Sequence, residues 1–284
     1  MVILVTGAHG QLGQALQSIA PHYPEIQFRF YGSQEIDLTH KTSIQNAFAV
    51  HKPIFCINAA AYTAVDKAES EPEKAFAINA EGVRNLAEVC LENQTILLHV
   101  STDFVFDGSK KTPYIESDIP HPTGVYGASK WAGEKAVQEI LTRYYIVRTA
   151  WVYSIFGANF MKTMLRLGSE RDQLKVVDDQ IGSPTLATDL AKALVTICQQ
   201  TAQDFVSAPY GIYHYSNEGS CSWCAFAQQI LLNHGLKTPV FPIPTTEFPT
   251  PAKRPAYSVL DKSKIKKAFA IEIPSWQDAL KSGI

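Results

Sequence analysis

Tyr126-Gly127-Ala128-Ser129-Lys130 sets a phenol and an amine four positions apart in a helix-length stretch. Residues at i and i+4 share one face of a helix. An ammonium beside a phenol favours the phenolate and lowers a pKa that begins near 10, so the expectation is a tyrosine that exchanges a proton with a carbonyl or alcohol near neutral pH. The pair alone decides nothing, since 12 tyrosines and 18 lysines in 284 positions give about 0.8 such pairs by chance. Its company lifts it. Ser101-Thr102-Asp103 closes an apolar run at 96–101, which brings a hydroxyl to the carboxyl end of a strand, where ligands of open α/β sheets bind. That hydroxyl can hydrogen-bond the carbonyl that the tyrosine protonates.

Upstream, Gly7-Ala8-His9-Gly10-Gln11-Leu12-Gly13 follows the apolar run 2–6 and opens an amphipathic stretch. Glycines at this spacing allow a tight turn and close approach of backbone N–H groups to a pyrophosphate, and the helix N-terminus adds partial positive charge. Gly7, Gly10, Gln11, Leu12 and Gly13 are therefore assigned to a dinucleotide. A strictly NAD-binding chain would carry a carboxylate at the end of the second strand, and Phe30-Tyr31-Gly32-Ser33 has none. NADP is thus permitted. Asp37, next to Leu38, has two open roles: a contact to the adenine amine, or a loop cap. Asn58-Ala59-Ala60-Ala61-Tyr62 offers small residues where a cofactor can pass close to the backbone, or where helices simply pack.

These groups need a scaffold, and residues 1–150 supply its pattern. Runs at 2–6, 27–31, 54–57, 96–101 and 145–148 read as strands, several apolar on both faces, and stretches at 11–20, 43–51, 73–92 and 125–141 read as helices between them. Continuous apolar strands alternating with helices predict a doubly wound, Rossmann-like α/β domain with a parallel sheet. From 151 to 284 the texture changes, with helices expected at 160–167, 189–199 and 222–233. Five prolines between 239 and 251 exclude a helix interior there. The expectation is a smaller, mainly substrate-binding C-terminal domain from which a segment at about 175–200 returns to the first.

With 25 basic and 27 acidic residues the chain has no broad positive field for a polyanion, so nucleic acid is excluded as a partner. No apolar stretch reaches the ~18 residues of a membrane span. The chain opens directly on Met1-Val2-Ile3-Leu4-Val5, and the expectation is a cytoplasmic protein. Five cysteines, an odd number spread widely, argue against a disulfide framework. Cys221-Ser222-Trp223-Cys224 has C-x-x-C spacing but lacks two further ligands at convincing offsets, and reads as a helix start with packing residues.

Taken together, these segments resemble the extended short-chain dehydrogenase/reductase family, and within it the branch of reductases that form dTDP-rhamnose. The glycine turn, 58–69, 101–108, Tyr126 with Lys130, 148–153, 179–185 and 254–258 carry the resemblance over nearly the whole chain. It implies NADPH, with NADH also accepted, reducing the C4 keto group of a dTDP-linked 4-dehydro-L-rhamnose. Tyr126 would protonate the oxygen, Lys130 would support Tyr126 and hold the nicotinamide ribose, and Thr102 would orient the carbonyl. Asp37, Leu38, Ala60, Ala61 and Tyr62 would complete the cofactor site, and Thr102, Asp103, Trp151 and Arg254 would face the sugar nucleotide. Some relatives join as dimers through a metal held by a carboxylate early in the first helix. Gln14 and Ala15 stand there in this chain, so no metal is expected, and the state expected is a monomer or weak homodimer. Rival readings are another nucleotide-sugar reductase or epimerase, or a non-catalytic regulatory subunit of the methionine adenosyltransferase type. A dehydratase would need acid/base groups after the threonine, where Phe104 cannot transfer a proton, and intact Tyr126, Lys130 and Thr102 favour an enzyme.

Overall fold

Side chains along a strand alternate between its two faces, so a strand covered on both sides must be apolar at every position. In β1, Ile3 and Val5 enter one core while Leu4 enters the other. The computed structural model describes residues 1–283. Its first half runs β1 (Val2–Thr6), α1 (Gln11–Ile19), β2 (Gln27–Tyr31), α2 (Lys41–His51), β3 (Phe55–Asn58), α3 (Val65–Ala68), α4 (Pro72–Phe76), α5 (Gly82–Glu92), β4 (Ile96–Thr102), α6 (Val125–Ile140) and β5 (Tyr144–Thr149). Then come β6 (Val152–Tyr153), α7 (Phe160–Glu170), β7 (Leu174–Val177), β8 (Ile181–Gly182), β9 (Thr185–Leu186) and α8 (Ala187–Gln203). The chain ends with β10 (Gly211–His214), β11 (Cys221–Ser222), α9 (Trp223–Asn233), β12 (Val240–Ile243), α10 (Ser263–Phe269) and α11 (Trp276–Ser282).

Six strands form one sheet in the order β10-β5-β4-β3-β1-β2, and every pairing is parallel. The α/β, Rossmann-like doubly wound fold expected from the sequence is the one observed. Strand order reverses between β1 and β3, the switch point beside which α/β sheets open a crevice. Helices α1, α8 and α10 cover one face, and α2, α5 and α6 cover the other. The sixth strand, β10, is an addition to the five expected. Its four residues lie 62 positions beyond the end of the strand they pair with, a partner that no local pattern announces.

A second correction concerns the single helix expected over 73–92. Between α4 and α5 the chain widens into a π-helical turn, Ala77–Glu81. The wider turn directs Asn79 inward, where it is fully buried. Its Oδ1 accepts from the Tyr62 N–H (2.8 Å), and its Nδ2 donates to the Tyr62 carbonyl (3.0 Å) and the Ser129 hydroxyl (3.0 Å). One amide thus ties the loop after β3 to the helix that carries Tyr126 and Lys130, a use typical of π-turns near functional sites.

The remaining elements build a second core from α7, α9, α11 and the short strand pairs β7 with β12, β8 with β11 and β6 with β9. The proline-rich stretch begins as β12, extended against β7, with Pro242 in an edge strand where a missing N–H is tolerated. Cys221 and Cys224 are free and buried in this core, and Ser222 caps α9 by accepting from the Ala225 N–H (3.0 Å). Among the described residues no helix is long and apolar enough to cross a membrane, and no three His, Cys, Asp or Glu side chains cluster as metal ligands would.

Candidate active site

A cavity of about 620 Å³ opens at the carboxyl ends of β1, β3, β4 and β5. The glycine turn forms one wall. Gly7 has φ +73°, and a Cβ there would lie 2.5 Å from the Ala60 nitrogen; a Cβ on Gly13 would lie 2.2 Å from the Gly7 carbonyl. Backbone therefore packs on backbone where any side chain would intrude. Gly10 begins α1 without a side-chain cap, and no acidic residue sits in the first turn. The first N–H groups of a helix have no partner within it, so the positive end of α1 faces the cavity at Gln11 and Leu12. That is a cradle for a phosphate.

The side chain of Gln11 does something else. Its Oε1 accepts from Ser154 Oγ (3.0 Å) and Asn159 Nδ2 (2.9 Å), and its Nε2 donates to the Val152 carbonyl (3.3 Å). Gln14 donates to the His9 carbonyl (2.8 Å), and Ala15 is buried in the core.

Thr102, Asp103, Tyr126, Lys130 and Trp151 all line the same cavity, as does Ala61. Strand β4 ends at Thr102, whose hydroxyl accepts from the Phe104 N–H (3.2 Å) and donates to Asp103 Oδ1 (3.0 Å). The other carboxylate oxygen, Asp103 Oδ2, is buried with no hydrogen-bond partner among the described residues. Burial pushes this carboxyl up to about 6, against the opposing pull of the Ser258 and Thr102 hydroxyls.

Tyr126 departs from the expected acidity. Burial pushes its phenol up to about 12, and the Thr102 hydroxyl only partly offsets this. Lys130, two per cent exposed, is pushed down to about 8 by burial, with Glu134 opposing. Its Nζ donates to the Val100 carbonyl (2.8 Å) rather than to the phenol. Loss of hydration at both groups thus outweighs the pairwise attraction inferred from spacing. For donating a proton this is the useful direction, because the phenol stays protonated through neutral pH.

Trp151 adopts φ +47°, and its ring stacks on Trp223 with centroids 3.4 Å apart and planes 8° from parallel. Its carbonyl accepts from the Thr185 N–H (3.1 Å). Trp223, which spacing analysis treated only as part of the cysteine run, is also backed by Phe160 at 4.6 Å.

Other expected residues stand off the cavity wall. Ala60 packs partly buried against the core that holds Leu4 and Leu38, and Tyr62 donates its hydroxyl to Glu71 (2.9 Å). Asp37 accepts from the Thr39 N–H (2.9 Å) and hydroxyl (2.7 Å), contacts that cap the loop and hold its carboxyl below the usual range, while its side chain stays about half exposed. Leu38 is buried in the core beneath α2 and α5. Arg254 gives Nη1 and Nη2 to Asp66 in a two-pronged contact (2.9 and 2.7 Å), with Nη1 also donating to the Ala252 carbonyl (3.1 Å).

Sequence reading passed over the polar layer beneath Lys130. Glu134 and Arg148, both buried, pair through three contacts of 2.7 to 3.2 Å, and His214 Nε2 lies 3.5 Å from Arg148. A glutamate four residues after Lys130 on the same helix was the available signal.

The model of the RmlD substrate binding domain family matches residues 1–284. The chain belongs to that family. Within it, a dTDP-4-dehydrorhamnose reductase of Aggregatibacter actinomycetemcomitans is 43% identical over 99% of this chain and 97% of its own. One from Sinorhizobium fredii is 41% identical, covering 98% and 95%. Among solved structures, the dTDP-4-dehydrorhamnose reductase of Bacillus anthracis in complex with NADP superposes with a TM-score of 0.92 at 40% identity, covering 99% of this chain and 98% of that one. The RmlD match spans the cavity and the second core alike.

Proposed function

We propose that this protein reduces the C4 keto group of dTDP-4-dehydro-L-rhamnose to give dTDP-L-rhamnose, with NADPH as reductant and NADH also accepted. The observation that carries the reading is full-length identity of 41 to 43% to reductases of that name, in a chain that keeps Thr102, Tyr126 and Lys130 on one cavity. The nucleotide fits the turn: Gly10, Gln11 and Leu12 line the cavity at an uncapped helix start with no acidic residue in its first turn. When bound, NADPH supplies the hydride.

The chain's own groups do the rest. Gly10, Gln11 and Leu12 present backbone N–H groups to the pyrophosphate, while Ala61 allows the nucleotide to pass close. Tyr126, protonated at neutral pH, gives its proton to the oxygen at C4 as charge develops there. Thr102 orients the same oxygen, and Lys130 lies behind the phenol as a buried cation and as a contact for the ribose. Asp103 and Trp151 face the sugar. Arg254 acts at one remove, fixing Asp66 and with it Val65 on the cavity rim.

The chain divides, on this reading, into a cofactor-binding part at 1–150, joined by α8, β10 and α10, and a substrate-binding part from the rest of 151–284. It works in the cytoplasm on a soluble nucleotide sugar, as a monomer or weak homodimer. The test is loss of NADPH absorbance with dTDP-4-dehydro-L-rhamnose, compared with the UDP analogue. Absence of NADPH consumption at saturating substrate overturns the proposal.

A further inference from the structure

His99 is fully buried in β4, between β3 and the helix that carries Lys130. Its Nδ1 lies 3.0 Å from Asn58 Nδ2, and its Nε2 lies 3.5 Å from Lys130 Nζ. The Asn58 amide can face only one way. Its Oδ1 accepts from the Thr6 hydroxyl (2.6 Å) and from the Ala60 N–H (3.2 Å), and a backbone N–H can only donate. The NH₂ end therefore meets His99, whose Nδ1 must accept. Burial and the neighbouring Lys130 charge hold the imidazole well below its usual pKa, so the ring is neutral. A neutral imidazole that accepts at Nδ1 carries its hydrogen on Nε2.

We propose that His99 is a positioning residue for Lys130, presenting an Nε2–H to Nζ so that the neutral amine, which has a lone pair, is a better partner than the ammonium, which has none. The proposal deepens the reductase reading and rests on it for the role of Lys130. Other groups around Nζ come from every neighbouring element. The Val100 carbonyl of β4 accepts from either form of the amine. Glu134, on the lysine's own helix, favours the ammonium, and Arg148 of β5 neutralises part of that pull by pairing with it. Asp103 and Tyr126 stand toward the cavity. Burial opposes Glu134 and holds Lys130 down to about 8, and the Nε2–H of His99 pushes in the same direction as burial. An amine so poised can release and recover a proton near neutral pH while the phenol beside it is used.

The experiment is nuclear magnetic resonance on the full-length protein without substrate. In the ¹⁵N-histidine-labelled wild type, His99 should show a protonated Nε2 and a bare Nδ1; the opposite tautomer overturns the proposal. With ¹³C at the lysine ε position, and Lys130 assigned through Lys130→Arg, its midpoint is then followed with pH. Asn58→Asp keeps the acceptor for Thr6 and Ala60 but forces the hydrogen onto Nδ1, and His99→Gln offers Nζ a carbonyl. Each should raise the midpoint by about one unit or more, roughly tenfold tighter proton binding. An unmoved midpoint in either folded variant overturns the proposal. Neither arm uses the sugar substrate, so failure of the reductase assay and failure of this inference are separate results.

Discussion

Replacing Asp103 by Asn should make the free protein more stable at neutral pH. The carboxyl is 2% exposed, one of its oxygens has no hydrogen-bond partner among the described residues, and burial raises its pKa from 3.8 to about 6. A carboxyl whose folded pKa lies above its unfolded value leaves the native state fully stable below the unfolded value and weakens it as pH rises through the folded one. Two units correspond to about 3 kcal/mol, a sizeable share of the ~5–15 kcal/mol that holds a typical domain together. Asn removes the charge and keeps the shape. Urea unfolding of both proteins should show the variant ahead by about 3 kcal/mol near pH 7.5, with the gap falling to about half near pH 5. A gap of the same size at both pH values, or a variant less stable at pH 7.5, would refute the argument. The gain should come with slower turnover, because the carboxylate lines the cavity in which the proposed reaction takes place.

Tyr126→Phe should lower kcat by about 10² to 10⁴-fold with NADPH affinity little changed, measured by steady-state kinetics and cofactor titration. Arg148→Met should destabilise the fold by about 3–5 kcal/mol in urea, because it leaves Glu134 charged and unpaired in the core; adding Glu134→Leu should recover most of the loss. Gly7→Ala combines a left-handed backbone with a Cβ only 2.5 Å from the Ala60 nitrogen. It should cost about 2–5 kcal/mol and weaken NADPH binding, read by unfolding and by cofactor fluorescence.

What could be read from the sequence was whatever is decided within a few residues. The turn from β1 to α1 is contiguous, its glycines answer to backbone within the same motif or to the loop after β3, and it was legible in full. Thr102, Tyr126 and Trp151 were legible because their segments sit at strand ends and helix starts. The ion pair of Arg254 was not, since its partner Asp66 lies 188 positions away. The loop cap at Asp37 was legible, because its partner Thr39 stands two positions on. The π-turn at Asn79 depends on Ser129, 50 positions later, and no periodicity within 73–92 records it. The acidity of Tyr126 was read with the wrong sign because i, i+4 spacing states a distance along a helix and says nothing about how much water the two groups lose.

Gln11 makes the two halves of the cavity answer to one residue. Its backbone stands at the uncapped start of α1 on the cavity wall, while its amide is bonded to Ser154, Asn159 and Val152 in the segment that follows Trp151. Position 11 is therefore doubly constrained, whereas residues 32–35, after β2, make no hydrogen bond to that segment among the described residues. On the proposed reading, cofactor choice can drift in evolution, or be engineered, at 32–35 without retuning sugar recognition. A change at 11 would be felt by both ligands at once.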